Sequence, residues 1–144
     1  MKMYEQIGEF TPDSLMVSPD FPILKAGIGL KPGYGVLKRG SLIVKAADGS
    51  GYLAGTEVTV TTGEGESAKT EAIELSVFGI LTDDTDTGTD QAETDNIPAT
   101  VYQTGEFNRE AVKVASSATV GAFEDEMKKI SIFLRSVQNY EKGE

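Results

Sequence analysis

The sequence contains no cysteine, no histidine and no tryptophan. Without cysteine it can build neither a disulfide framework nor a thiolate zinc site. Without histidine it lacks the commonest general base and the commonest metal ligand. Hydrolytic chemistry would have to run on carboxylates, Lys, Tyr or Ser alone, which removes the usual triads and metal-hydroxide sites. The expectation is a protein that is not an enzyme and carries no cofactor. Positive charge is also scarce. Lys and Arg number 13 against 23 Asp and Glu, a formal charge of −10. Such a chain has little with which to neutralise phosphate, so neither nucleic acid nor an anionic membrane is an expected partner. No apolar run approaches the roughly 18–20 residues of a transmembrane helix. The opening "MKMYEQIGEF" lacks the apolar segment of a secretory signal, so synthesis in the cytoplasm is expected.

What is present fits one domain of ordinary size. A compact chain of 144 residues buries roughly 68–70% of its unfolded surface. Proline is unevenly spread: Pro12, Pro19, Pro22 and Pro32, four of the five, fall within residues 1–35. Proline removes backbone donors and pushes the preceding residue towards extended geometry. Residues 1–35 therefore read as an extended N-terminal arm, and residues 36–144 as a β-rich domain. Leu15, Val17, Pro19, Phe21 and Ile23 occupy odd positions, while Ser14, Ser18 and Asp20 occupy even ones. That alternation describes a strand with one apolar face. Such a strand either awaits a partner or belongs to the domain's own core.

Residues 36–115 read as short strands between turn signals: "VLKRGSLIVKA" (36–46) with Gly40 as a bend, "TEVTVT" (56–61), "EAIELSVFGIL" (71–81) and "ATVYQT" (99–104). "REAVKVA" (109–115) is an ambiguous apolar element. Phe123, Met127, Ile130 and Leu134 lie at helical spacing behind Glu124, Asp125 and Glu126, acids that suit a first helical turn. "SIFLRS" (131–136) alternates like a strand. A short helix to about Lys129 followed by a strand is the expected arrangement. The fold class is thus mainly β (α+β), a small barrel-like or tulip-type domain with one short C-terminal helix.

Several motifs invite chemistry and do not complete it. "TDDTDTGTD" (82–90) resembles the front of a calcium loop, but counted from Asp84 the sixth position is Thr89 and the twelfth is Asp95. An EF-hand requires glycine and a bidentate acid there. "KPGYG" (31–35) and "GEGESAKT" (63–70) lack the GxxxxGK[ST] spacing of a phosphate loop. Both read as turns, and Glu106 reads as a surface acid beside one.

Four segments, in order, resemble the lambda-type bacteriophage head decoration proteins: "DFPIL" (20–24), "LKRGSLI" (37–43), "GILTDDTDTG" (79–88) and "VYQTGEFNREAV" (101–112). A fifth, "MKKISIFLR" (127–135), is similar to the family's helix-to-strand junction. Together they span roughly residues 15–136. Residues 46–76 are longer and richer in strand than the family pattern. The resemblance implies a non-enzymatic cement protein on the outer surface of the virion's capsid. It would bind the expanded shell as homotrimers at local threefold points, with the major capsid protein as partner. It also implies an arm that orders on the capsid, carrying Leu15, Val17, Phe21, Pro22, Ile23 and Leu24. Gly105, Glu106, Phe107 and Asn108 become a structural corner, with Phe107 tucked into the core. The alternative reading is a surface β-domain that binds calcium or carbohydrate through the acidic loop 82–96.

Overall fold

The computed structural model describes residues 15–18, 22–63, 65–67 and 69–136. Within them the alternating runs become short strands: β1 (Met16–Ser18), β2 (Lys25–Leu30), β3 (Val36–Leu37), β4 (Leu42–Ala46), β5 (Ser50–Leu53) and β6 (Thr59–Thr62). These are followed by β7 (Lys69–Ala72), β8 (Leu75–Leu81), β9 (Thr85–Asp86), β10 (Ile97–Tyr102), β11 (Gly105–Asn108) and β12 (Ile132–Arg135). A 3₁₀ turn, Val120–Phe123, leads into one short helix, α1 (Glu124–Lys129). The fold is mainly β, with strands in the order β10-β2-β5-β4-β8 closing a barrel.

Two apolar clusters lie on opposite faces of the barrel wall, and β4 shows why. Successive strand residues point to opposite faces. Ile43 joins Ile28, Leu30, Leu37, Leu81 and Val101, contributed mostly by barrel strands. Its neighbours Leu42 and Val44 join Leu15, Ile80, Tyr102, Phe107, Met127 and Ile132. That second cluster is the layer between the barrel and an outer sheet ordered β1-β11-β12, which α1 adjoins. The adjacent pairs Ile80/Leu81 and Tyr102/Val101 divide between the two clusters in the same way.

The expected helix and following strand are present as α1 and β12. Other boundaries differ. Residues 36–46 form two strands, because Arg39–Gly40 is a turn with Gly40 at φ 92°. A Cβ at Gly40 would lie 2.7 Å from the Ala111 carbonyl oxygen, so only glycine fits that approach. Residues 71–81 likewise divide, since the β6–β7 ribbon pairs with no other strand among the described residues. Residues 109–115 are turns. They are clamped to the Gly40 bend by Lys113 N–H to Gly40 O (2.9 Å) and Leu42 N–H to Lys113 O (2.8 Å).

The proposed division at residue 35 does not match the packing. Lys25–Leu30 is a full barrel strand, paired over six positions with β10. Leu15 is only 1% exposed and sits in the layer with Phe107. The prolines restrict the backbone without preventing extended pairing, so this segment supplies core and sheet edge.

Candidate binding surface

Of the six residues assigned to an arm, the structure brings four into the neighbourhood of β11. Met16 pairs with Phe107 and Ser18 with Glu106, antiparallel. Leu15 O accepts from Asn108 N–H at 2.8 Å. Leu15 is thus an internal residue and not a capsid contact. Val17 is half-buried. Phe21 lies outside the described residues.

Residues Pro22, Ile23 and Leu24 run beside the link between β10 and β11. Thr104 organises them. Its hydroxyl donates to Pro22 O at 2.8 Å and accepts from Leu24 N–H at 3.0 Å, and Gln103 N–H donates to Leu24 O at 2.7 Å. Ile23 is half-buried and packs against the core layer. Pro22 is exposed. Leu24 is 59% exposed, one of two large apolar side chains so open among the described residues, the other being Val36. Leu24 borders a shallow depression of about 220 Å³, lined also by Val77, Phe78, Gln103, Thr104 and Ile130.

"GEFN" is itself a strand, central in the outer sheet. It runs antiparallel to β1 and parallel to β12, with Gly105 opposite Ile132 and Asn108 opposite Arg135. The change of direction occurs just before it, at Gln103–Thr104. Phe107 is fully buried and packs on Tyr102, ring centroids 5.8 Å apart. Glu106 faces Arg135 at 3.3 Å. Asn108 is buried and its Oδ1 accepts from Glu110 N–H at 3.2 Å, closing the next turn.

The acidic loop does not gather its carboxylates. Asp84 accepts from Arg39 N–H at 2.7 Å and lies 3.5 Å from Lys38 Nζ. That backbone donor, reinforced by Lys38, holds the Asp84 carboxyl below its ordinary range. Asp86 and Asp90 cap the N–H groups of Gly88 and Ala92 within their own turns. Among the described residues no group of three or more Asp or Glu converges as a metal site.

Sequence reasoning missed Val77, Phe78 and Ile130 as surface-forming residues. Their pattern reads as buried strand and helix. They line the surface because β8 and β10 pair only at Ile80–Tyr102 and Leu81–Val101 and diverge beyond. No protein-family model matches the chain, and no curated protein matches it.

Proposed function

We propose that this chain is a non-enzymatic capsid decoration protein, binding the outside of an expanded phage head as trimers at local threefold sites. The observation that carries the reading is the convergence of the segments that resemble the family. Arg39, from "LKRGSLI", reaches the other two long segments. Its N–H donates to Asp84, and its Nη1 donates to Thr82 O (2.8 Å) and the Tyr102 hydroxyl (2.9 Å). "GEFN" then pairs with "IFLR" of the fifth segment. A resemblance assembled from chance matches would have no reason to meet around one side chain.

In this reading the mechanism is mass action: a ligand that binds only the expanded shell stabilises that shell. The shell-facing residues are Pro22 and Leu24, held outward by Thr104. The protein would then work on the virion surface, with the major capsid protein as its partner.

Mixing the purified protein with expanded heads stripped of decoration tests this. Co-sedimentation, with threefold density on imaged particles, is the expected result. Absence of binding to expanded heads, or equal binding to unexpanded ones, overturns it.

A further inference from the structure

We propose that the β6–β7 ribbon of one copy lies along the open edge of β8 in a neighbouring copy, linking copies head to tail. Two unpartnered strand edges in the same chain carry the inference. The first belongs to β8. Its full length pairs with β4, but on the opposite side only Ile80 and Leu81 meet β10. Leu75 to Gly79 have no ladder partner on that side among the described residues. The Val77 N–H points into the gap and reaches only the Glu126 carboxylate, at 3.5 Å. That is a long contact for a donor that a strand would satisfy at about 2.9 Å.

The edge is the floor of a groove. Two depressions of about 360 Å³ each flank it, one reaching Lys45 and Phe78, the other Glu126, Lys129 and Ile130. Lys45 Nζ lies 5.0 Å from the Phe78 ring centroid, so this wall presents an apolar face and a cation together.

The second edge belongs to the ribbon. It continues outward from the barrel through Ile73 N–H to Val58 O (3.0 Å) and joins no other sheet. Four paired positions make it about 13 Å long, enough to cover the exposed part of β8. Charge selects this occupant. Residues 59–72 hold Glu64, Glu66 and Glu71 against Lys69 alone. The groove meets them with Lys45 and Lys129, in a chain that is otherwise strongly acidic. Edge addition supplies main-chain affinity, and exposed edges left unpaired invite unwanted pairing. The two surfaces differ, so the contact is heterologous, and such contacts close into rings when the rotation allows. For three copies the inference rests on the trimeric reading above; the strand contact itself does not.

The experiment uses the full chain free of any shell, so failure to bind heads would not bear on it. The absence of native cysteine makes crosslinking clean. Glu66→Cys and Lys129→Cys chains, mixed with a short bismaleimide, should give a covalent dimer far above either variant alone. The doubly substituted chain should give a closed trimer. No crosslink from variants that melt like the parent overturns the inference. So does equal crosslinking by Gly121→Cys, or a crosslink that forms only to a shell subunit. As a second arm, Lys45→Glu with Lys129→Glu should weaken self-association about tenfold, with partial recovery on Glu66→Lys. Unchanged self-association in that double variant also overturns it.

Discussion

Arg39 Nη1 donates to the Tyr102 hydroxyl at 2.9 Å while its Cζ lies 5.6 Å from the same ring's centroid. The guanidinium thereby ties the Gly40 bend to the end of β10, where the barrel closes, and its bond to Thr82 O adds the start of the acidic loop. Lys113 Nζ donates to the Arg39 carbonyl at 2.9 Å, which fixes the bend from the other side. Arg39→Ala should lower unfolding free energy by about 1–3 kcal/mol, the range for hydrogen bonds involving a charged group. Arg39→Lys should recover only part, since an ammonium cannot reproduce the fork. Denaturant midpoints of the three proteins check this; full recovery by Lys would mean that charge alone matters.

Leu15 and Leu24 should separate stability from binding. Leu15 is 1% exposed, packed in the layer with Phe107. Leu15→Ala should cost about 2–5 kcal/mol. Leu24 is 59% exposed and should tolerate Ser within about 0.5 kcal/mol. On expanded heads the order should reverse, with folded Leu24→Ser losing occupancy. A large melting loss for Leu24→Ser would place it in the core instead.

Period-2 alternation made the strands legible, and the acids before Met127 made the helix legible. It also placed Leu15 correctly on an apolar row without saying what the row faces. Parity gives a face, not a partner, and the partner of Leu15 proved to be the chain's own β11. The surface groove was not legible for a different reason. Val77 and Phe78 read as interior because both faces of β8 are apolar. The gap beside them arises from the divergence of β8 from β10, a register property that no local pattern encodes. "GEFN" carried its buried Phe in plain view, yet its strand pairing depends on residues 25 or more positions further along the chain.

The pair Arg109–Glu124 should make stability fall in acid. Arg109 Nη1 donates to Glu124 Oε1 and Nη2 to Oε2, the latter at 3.0 Å, joining the β11 exit to the start of α1. The Arg109 hydrogen bonds, with its charge and that of Lys128, hold the Glu124 carboxyl below the ordinary glutamate range. A depressed carboxyl contributes stability above its unfolded pKa, near 4.3, and that contribution is lost as pH falls through the folded value. Asp84 acts in the same direction. Melting temperature should therefore drop below about pH 4. Glu124→Gln should melt lower than the parent at neutral pH and lose less across the acid window. Parallel pH curves for the two proteins would remove Glu124 from the account.

Ser131 stands at φ 68°, the one non-glycine residue with positive φ among those described. It terminates α1, its N–H donating to Lys128 O at 3.2 Å and its carbonyl accepting from Gly105 N–H at 3.1 Å. Left-handed backbone costs an L-residue about 1–2 kcal/mol, and helix ends of this kind favour glycine. The greater freedom of unfolded glycine offsets part of the gain. Ser131→Gly should stabilise by about 0.5–1 kcal/mol in equilibrium denaturation. A destabilised variant would mean that the serine side chain matters more than the strain.

Gly79 should be the least replaceable glycine of the barrel wall. It lies opposite Ile43 in the β4–β8 ladder, next to Ile80, where β10 begins to close the barrel. A Cβ there would sit 2.6 Å from the Tyr102 carbonyl oxygen and 2.8 Å from Val101 Cγ2. Neither atom is the free end of a flexible chain. One is backbone in a paired strand, and the other is a branched side chain fully buried in the barrel. Alanine must therefore push β10 away, at about 1–3 kcal/mol. It would also loosen the seam on which Arg39 and Tyr102 act, so Gly79→Ala and Arg39→Ala together should fall short of additive. Gly121→Ala is the control, because a Cβ there meets nothing within 4 Å. That change should leave stability within about 0.5 kcal/mol or raise it slightly. Gly79→Ala as stable as Gly121→Ala would mean that β8 and β10 do not approach this closely.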